Sequence, residues 1–203
     1  MNEALFAYDE AVRTECGVLC GVDEAGRGPL CGPVCAGAVI LRAGDVIEGV
    51  NDSKKLSEKK REALFDVICA RAVCWNVALV GPEVIDEINI LQATYEAMRQ
   101  AVANLSVKPS LLLNDAVTIP GMDMKQVPII KGDAKSISIG AASVMAKVYR
   151  DRMMEEYDHI FPGYDFASNK GYGSKEHIEA IHRQGPCPIH RRSFLKNICG
   201  EQI

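Results

Sequence analysis

Five short runs of this chain are apolar almost without interruption, and they constrain the fold more than any other feature. They are 17–23 (G-V-L-C-G-V-D), 34–42 (V-C-A-G-A-V-I-L-R), 73–80 (V-C-W-N-V-A-L-V), 110–114 (S-L-L-L-N) and 126–130 (Q-V-P-I-I). Each is shorter than an ordinary helix, and none alternates polar with apolar as a half-exposed strand does. Strands buried on both faces read this way. Pro128 has no N–H to give a neighbouring strand, which puts the fifth run at a sheet edge.

Helical spacing fills the intervals. Ser57 is placed to cap a helix over about 58–71. Asn89 is placed to cap another, with Leu91, Tyr95, Met98, Val102 and Leu105 on one stripe. Ile137, Ala141, Val144 and Val148 mark a third over roughly 137–156. Its small residues Gly140, Ala141, Ala142, Ser143 and Ala146 let it lie close on a sheet. The order predicts an α/β fold: a mixed five-stranded sheet, antiparallel in its first portion, flanked by helices. After about residue 160 the chain becomes turn-rich, then helical over 174–184. We expect a core of residues 1–160 and a C-terminal helical and loop appendage of residues 161–203 packed on it, not an independent domain.

Composition narrows the class. The net charge is −4 over 203 residues, which is unlike a bulk nucleic-acid coat. Residues 1–124 hold 18 Asp+Glu against 11 Lys+Arg, and residues 125–203 hold nine against 12. An acidic body with a basic last third can still make a local polyanion footprint. The eight cysteines form no C-x-x-C pair and read as reduced thiols. There is no basic n-region with a long apolar stretch behind it, and no apolar run of membrane length. The expectation is a cytoplasmic monomer with no membrane partner.

The chemistry concentrates at strand ends. Asp23 and Glu24 are adjacent carboxylates closing the first apolar run. Like charges that close raise each other's pKa, and burial raises it further. A folded chain tolerates them best with cations between them. Asp115 closes the fourth run, and Asp133 follows the fifth in K-G-D-A-K-S. Oxygen donors of this kind suit Mg²⁺ or Mn²⁺. Four carboxylates can hold two such ions, the arrangement that clamps attacking and leaving oxygens in phosphodiester cleavage. Taken singly, Asp115 and Asp133 also read as turn residues. Gly26-Arg27-Gly28 fits no Walker or dinucleotide loop. It reads as a tight turn or as a loop whose amides face a sugar or phosphate. Lys54 and Lys55 precede a helix in a segment with five basic residues among positions 52–62, where phosphate contact is easy. Lys170, Tyr172, Lys175, Arg191 and Arg192 mix basic groups with an aromatic, as single-strand tracks do. His159, His177 and His182 read as surface helix residues, and only His190 has a suggestive setting.

D-E-A-G-R-G (23–28), N-D-S-K-K-L-S, K-G-D-A-K-S-I-S-I-G-A-A-S-V-M-A-K-V-Y-R-D, N-K-G-Y-G-S-K-E-H and P-I-H-R-R-S-F together resemble bacterial ribonuclease HII, over residues 17 to about 195. The resemblance implies an RNase H-like fold. It implies cleavage of RNA in RNA–DNA hybrids and incision 5′ of single ribonucleotides in duplex DNA, with Mn²⁺ or Mg²⁺. Carried over residue by residue, it makes Asp23, Glu24, Asp115 and Asp133 the metal-binding acidic set. It makes Gly26, Arg27 and Gly28 the loop that reads the ribose 2′-hydroxyl, and Tyr172 the ring that stacks on that sugar. The competing readings are a resolvase- or transposase-like nuclease that needs no 2′-hydroxyl, and a non-catalytic nucleic-acid binder.

Overall fold

A computed structural model describes residues 3–50 and 56–200. Five strands form one sheet: β1 (Leu19–Ala25), β2 (Val34–Ile40), β3 (Cys74–Val80), β4 (Leu111–Asp115) and β5 (Lys125–Ile129), in the order β3-β2-β1-β4-β5. β1, β2 and β3 pair antiparallel, while β4 runs parallel to β1 and β5 parallel to β4. The sheet is mixed, with its antiparallel portion first, as the sequence predicts. Pro128 lies in the edge strand β5, where its missing N–H leaves no gap in the ladder.

The helices are α1 (Glu3–Cys16), α2 (Glu58–Arg71), α3 (Pro82–Ala103), α4 (Ile137–Ile160), α5 (Phe166–Asn169), α6 (Lys175–Gln184) and α7 (Arg192–Cys199). Ser57 caps α2, its hydroxyl accepting from Lys60 N–H at 3.4 Å. Asn89 caps as expected, accepting from Leu91 and Gln92 N–H at 3.0 and 3.2 Å, but it does so inside α3. The chain is already helical from Pro82, and Asn89 takes φ 67° at a kink. Asparagine tolerates that left-handed φ better than most residues. α4 continues to Ile160, beyond the expected end near 156.

α3 covers one face of the sheet, packing Ile85, Ala97, Met98 and Val102 on Val22, Ala36, Ala38 and Leu112. α2 and α4 cover the other, with Phe65, Ile68, Ala141, Val144 and Val148 around Val39 and Leu41. Two glycines let α4 sit almost on the strands. A Cβ on Gly21 would stand 2.1 Å from the Ser138 carbonyl carbon, and one on Gly37 2.4 Å from the Ala142 oxygen. Past α4, Tyr164, Phe166, Ile181 and Leu195 form a further cluster with Met154 of α4 and Cys31 of the β1–β2 loop.

α1 was not signalled by any strong periodicity. Asp9, 1% exposed, fastens it to the start of α4 by accepting from Ser138 N–H at 2.9 Å.

Candidate active site

The sheet carries the carboxylates. Val22 pairs with Asn114 across the parallel β1–β4 ladder, so one further step sets Asp23 alongside Asp115 on strands about 4.8 Å apart. Alternation along β1 puts Asp23 on the α4 face with Gly21, and Gly37 is its partner on β2. The close approach those glycines allow brings Ser143 of α4 within hydrogen-bond reach of the Asp23 carboxylate. Glu24 N–H also donates to Asp23 Oδ1 at 2.7 Å.

Asp23 is 5% exposed. Burial pushes its pKa well above the ordinary value, and the negative charge of Glu24 adds to that. The Ser143 hydrogen bond opposes the rise, and the charge of Asp115 reinforces it. Asp23, Glu24 and Asp115 are therefore one electrostatic group.

Asp133 arrives by another route. It sits buried in a single 3₁₀ turn, Gly132–Ala134, after β5. Gly132 N–H donates to Asp115 Oδ1 at 2.7 Å, so the turn is tied to the end of β4. Lys131 enters it at φ 57°, and Ser136 closes it by capping α4 through Ile139 N–H at 3.2 Å. The donor set is oxygen throughout and carries mutually repelling charge at low exposure. That chemistry fits hard divalent cations.

Beside the carboxylates lies a cleft of about 530 Å³. Glu24, Gly26, Arg27, Gly28, Ser143, Lys147 and Tyr172 line it, with Ile90 and Phe194. The sequence-predicted loop and tyrosine thus share one cavity with Glu24. Arg27 Nη1 reaches Glu24 Oε1 at 3.3 Å. A Cβ on Gly28 would stand 3.6 Å from Tyr172 Cε1, so the ring lies over the glycine. Lys54 lies outside the described residues.

Several residues that shape the cleft escaped the sequence reading. Lys147, one turn from Ser143, binds both oxygens of Asp151 at 2.5 and 2.7 Å, and burial lowers its pKa. Arg150 and Arg191 are 1% and 0% exposed. Arg191, read from sequence as a phosphate contact, instead donates to four carbonyls of the β1–β2 loop: Gly26, Arg27, Pro29 and Gly32. Arg150 donates to the carbonyls of Cys31, Pro33 and Lys170. Lys170 is paired with Glu155 and Glu58. His177, expected on a surface, is buried and bonded to His190. Of the basic residues expected to track phosphates in the last third, Arg191 and Lys170 are tied up in internal contacts, while Lys175 and Arg192 are exposed.

The ribonuclease HII family model matches residues 20–197. The chain belongs to the ribonuclease HII family. It is 64% identical over 180 residues to the ribonuclease HII of Lachnoclostridium phytofermentans, covering 89% of this chain and 71% of that one. The ribonuclease H2 of Pyrococcus horikoshii superposes with a TM-score of 0.73 at 30% identity, over 89% of this chain and 96% of that one. The ribonuclease HII of Archaeoglobus fulgidus, solved in complex with PCNA, gives 0.75 at 27% identity, over 91% and 97%. The fold is RNase H-like, and the chain is a ribonuclease H hydrolase. Ribonuclease HII enzymes cleave RNA in RNA–DNA hybrids and use divalent metal ions.

Proposed function

We propose that this protein also incises duplex DNA on the 5′ side of a single embedded ribonucleotide, leaving a 3′-hydroxyl and a 5′-phosphate. The observation that carries the reading is the carboxylate group. Asp23, Glu24 and Asp115 share one field at the ends of β1 and β4, and Asp133 is tied to that strand end through Gly132. Two Mn²⁺ or Mg²⁺ ions are the cations this set would hold. Bound there, they supply acidification of the attacking water and neutralisation of charge on the departing 3′-oxygen.

The protein's own groups do the positioning. Ser143 and the Glu24 amide fix the Asp23 carboxylate by hydrogen bonds. Gly28 offers backbone with no side chain beside Tyr172, so a sugar can approach it closely, whereas the bare face of Gly26 is filled by Arg150. Tyr172, 47% exposed, presents its ring over Gly28. A ribose seated between loop and ring meets a donor and an acceptor for its 2′-hydroxyl, which a deoxyribose lacks. Lys54 is assigned a phosphate contact on sequence grounds. The eight free cysteines agree with a reducing, cytoplasmic setting, and we read the enzyme as a monomer.

A labelled duplex with one ribonucleotide tests the proposal. Incision 5′ of that nucleotide, lost on chelation and restored by Mn²⁺ or Mg²⁺, is expected. Equal cutting of an all-DNA duplex would contradict it and favour a nuclease indifferent to the 2′-hydroxyl.

A further inference from the structure

Behind Tyr172, two buried histidines form a closed hydrogen-bond relay. His177 lies in the first turn of α6 and His190 before α7, at 0% and 3% exposure. His177 Nδ1 is 2.8 Å from the Tyr172 carbonyl oxygen. The two Nε2 atoms are 3.1 Å apart, and the Cys187 amide nitrogen is 3.0 Å from His190 Nδ1.

One neutral proton arrangement satisfies these three contacts; the Cys187 thiol, 3.1 Å from His190 Nδ1, can donate to the same lone pair, while the Cys187 carbonyl oxygen at 3.2 Å then receives no hydrogen from that ring. A carbonyl only accepts, so His177 Nδ1 carries the hydrogen and its Nε2 is a lone pair. His190 Nε2 must then donate to it, which leaves His190 Nδ1 to accept from the Cys187 amide. The amide of Cys187 is thus linked through two rings to the backbone of Tyr172. A proton added to His177 would set two donors face to face at Nε2, and one added to His190 would set its Nδ1 against the Cys187 amide hydrogen.

The surroundings favour the neutral state. Tyr164 and Phe166 pack on the rings, with centroids 5.1 Å from His190 and 5.3 Å from His177 respectively. Burial lowers the pKa of both histidines. The other titratable groups against them are the Cys31 and Cys187 thiols and the Tyr164 hydroxyl, all raised by burial and so neutral, with the Arg191 guanidinium next in sequence. Cys31 Sγ and a nitrogen of each ring lie within 4.8 Å of one another. A cation there would need a lone pair from each ring, and the closed relay leaves His177 only its Nε2, already accepting from His190, so the relay and a bound cation exclude each other.

We propose that His177 and His190 are positioning residues for Tyr172, acting through its backbone to hold the ring over Gly28. The Ser174 amide shares the same carbonyl at 2.8 Å, but it belongs to the same loop and cannot anchor that loop to the protein. Leu30 N–H and Arg150 fasten the preceding Gly171 and Lys170 carbonyls at 2.8 and 2.9 Å, and the Cys187–His190–His177 chain fastens Tyr172 itself. The proposal rests on the reading of Tyr172 as the ribose-stacking ring.

The test combines wild-type NMR with single-turnover cleavage of a duplex holding one ribonucleotide. Nitrogen-15 spectra of the imidazoles at neutral pH should show both rings neutral, protonated at Nδ1 in His177 and at Nε2 in His190. His177→Phe keeps the ring volume and removes the donor. It should slow cleavage about tenfold or more, the scale of a displaced contact group, with the Mn²⁺ concentration for half-maximal rate unchanged. His177→Asn, whose carboxamide N–H reaches the same carbonyl, should restore most of that loss. The opposite tautomers, or a cationic ring, would overturn the proposal even if His177→Phe did not fold. So would wild-type rates in His177→Phe alongside a crippled Tyr172→Ala. Wild-type rates in Tyr172→Ala would instead overturn the reading of Tyr172, and the positioning role with it.

Discussion

Arg191 Nη2 donates to the carbonyl of Gly26 at 2.6 Å, joining residues 165 apart in the chain. The same guanidinium reaches Gly32 at 3.0 Å and Pro29 at 2.8 Å, so one side chain shapes the whole β1–β2 loop. Turning so many carbonyls inward would leave them unsatisfied without it. Arg191→Lys places one compact ammonium where a planar fork spanned four oxygens. We expect a loss of at least about 3 kcal/mol in stability, read by urea denaturation. Any folded fraction should bind a ribonucleotide-containing duplex weakly, because the loop that lines the cleft is no longer held.

Tyr172 and Gly28 make a second testable pair. Tyr172→Phe keeps the ring over the glycine and should retain most cleavage if stacking is its role. Tyr172→Ala removes the ring and should lower cleavage at a single ribonucleotide by about tenfold or more, since base or sugar stacking on an aromatic contributes about 1–3 kcal/mol. Mn²⁺ dependence should be the same in both variants. Competition between a ribonucleotide duplex and its all-DNA counterpart gives the readout.

Asp23 should trade stability for activity. Its carboxyl is buried beside Glu24 and Asp115, which holds its pKa well above the ordinary range. A raised carboxyl contributes stability at low pH that is lost as pH rises through its folded pKa. At neutral pH without cations the ionised form therefore works against folding. Asp23→Asn removes that charge and still accepts from Ser143. The metal-free variant should melt a few degrees higher than wild type, a gain of about 1–2 kcal/mol. Its cleavage rate should fall at least about a hundredfold.

His190 sets an acid limit on stability. Burial lowers its pKa from 6.5 to about 4, and the neighbouring His177 assists. The unfolded chain then binds more protons than the folded one between those values, so stability falls as pH drops from 6.5 toward 4 and the loss levels off below. The total is about 3 kcal/mol at most. Denaturation midpoints at pH values above and below that window should differ more in wild type than in His190→Gln, which has no proton to take up.

The sheet was legible because its strands are buried on both faces and so continuously apolar. The residues after them, Asp23, Asp115 and Asp133, inherited a place from that pattern. α2 and the second part of α3 announced themselves through Ser57 and Asn89, whose caps are local. α7 was silent because its capping group is distant: Asp86 of α3 accepts from the Arg192 and Ser193 amides at 2.8 and 3.0 Å. α1 depends likewise on Asp9 meeting Ser138, 129 residues away. Arg191 misled for the same reason. A guanidinium that binds phosphate and one that binds carbonyls are spelled alike, and only burial separates them. His177 looked like an exposed helix residue because its partner, His190, comes from beyond the end of α6.

The central claim is that acidic side chains from β1, β4 and the turn after β5 converge on shared divalent cations. Anomalous diffraction from crystals soaked in Mn²⁺ tests it most directly. We predict peaks at coordination distance, about 2.0–2.6 Å, from oxygens of Asp23 together with Asp115 and Asp133, Glu24 completing the set. Peaks that touch none of these carboxylates, or an Asp133 that shares no ion with Asp23 or Asp115, would contradict it.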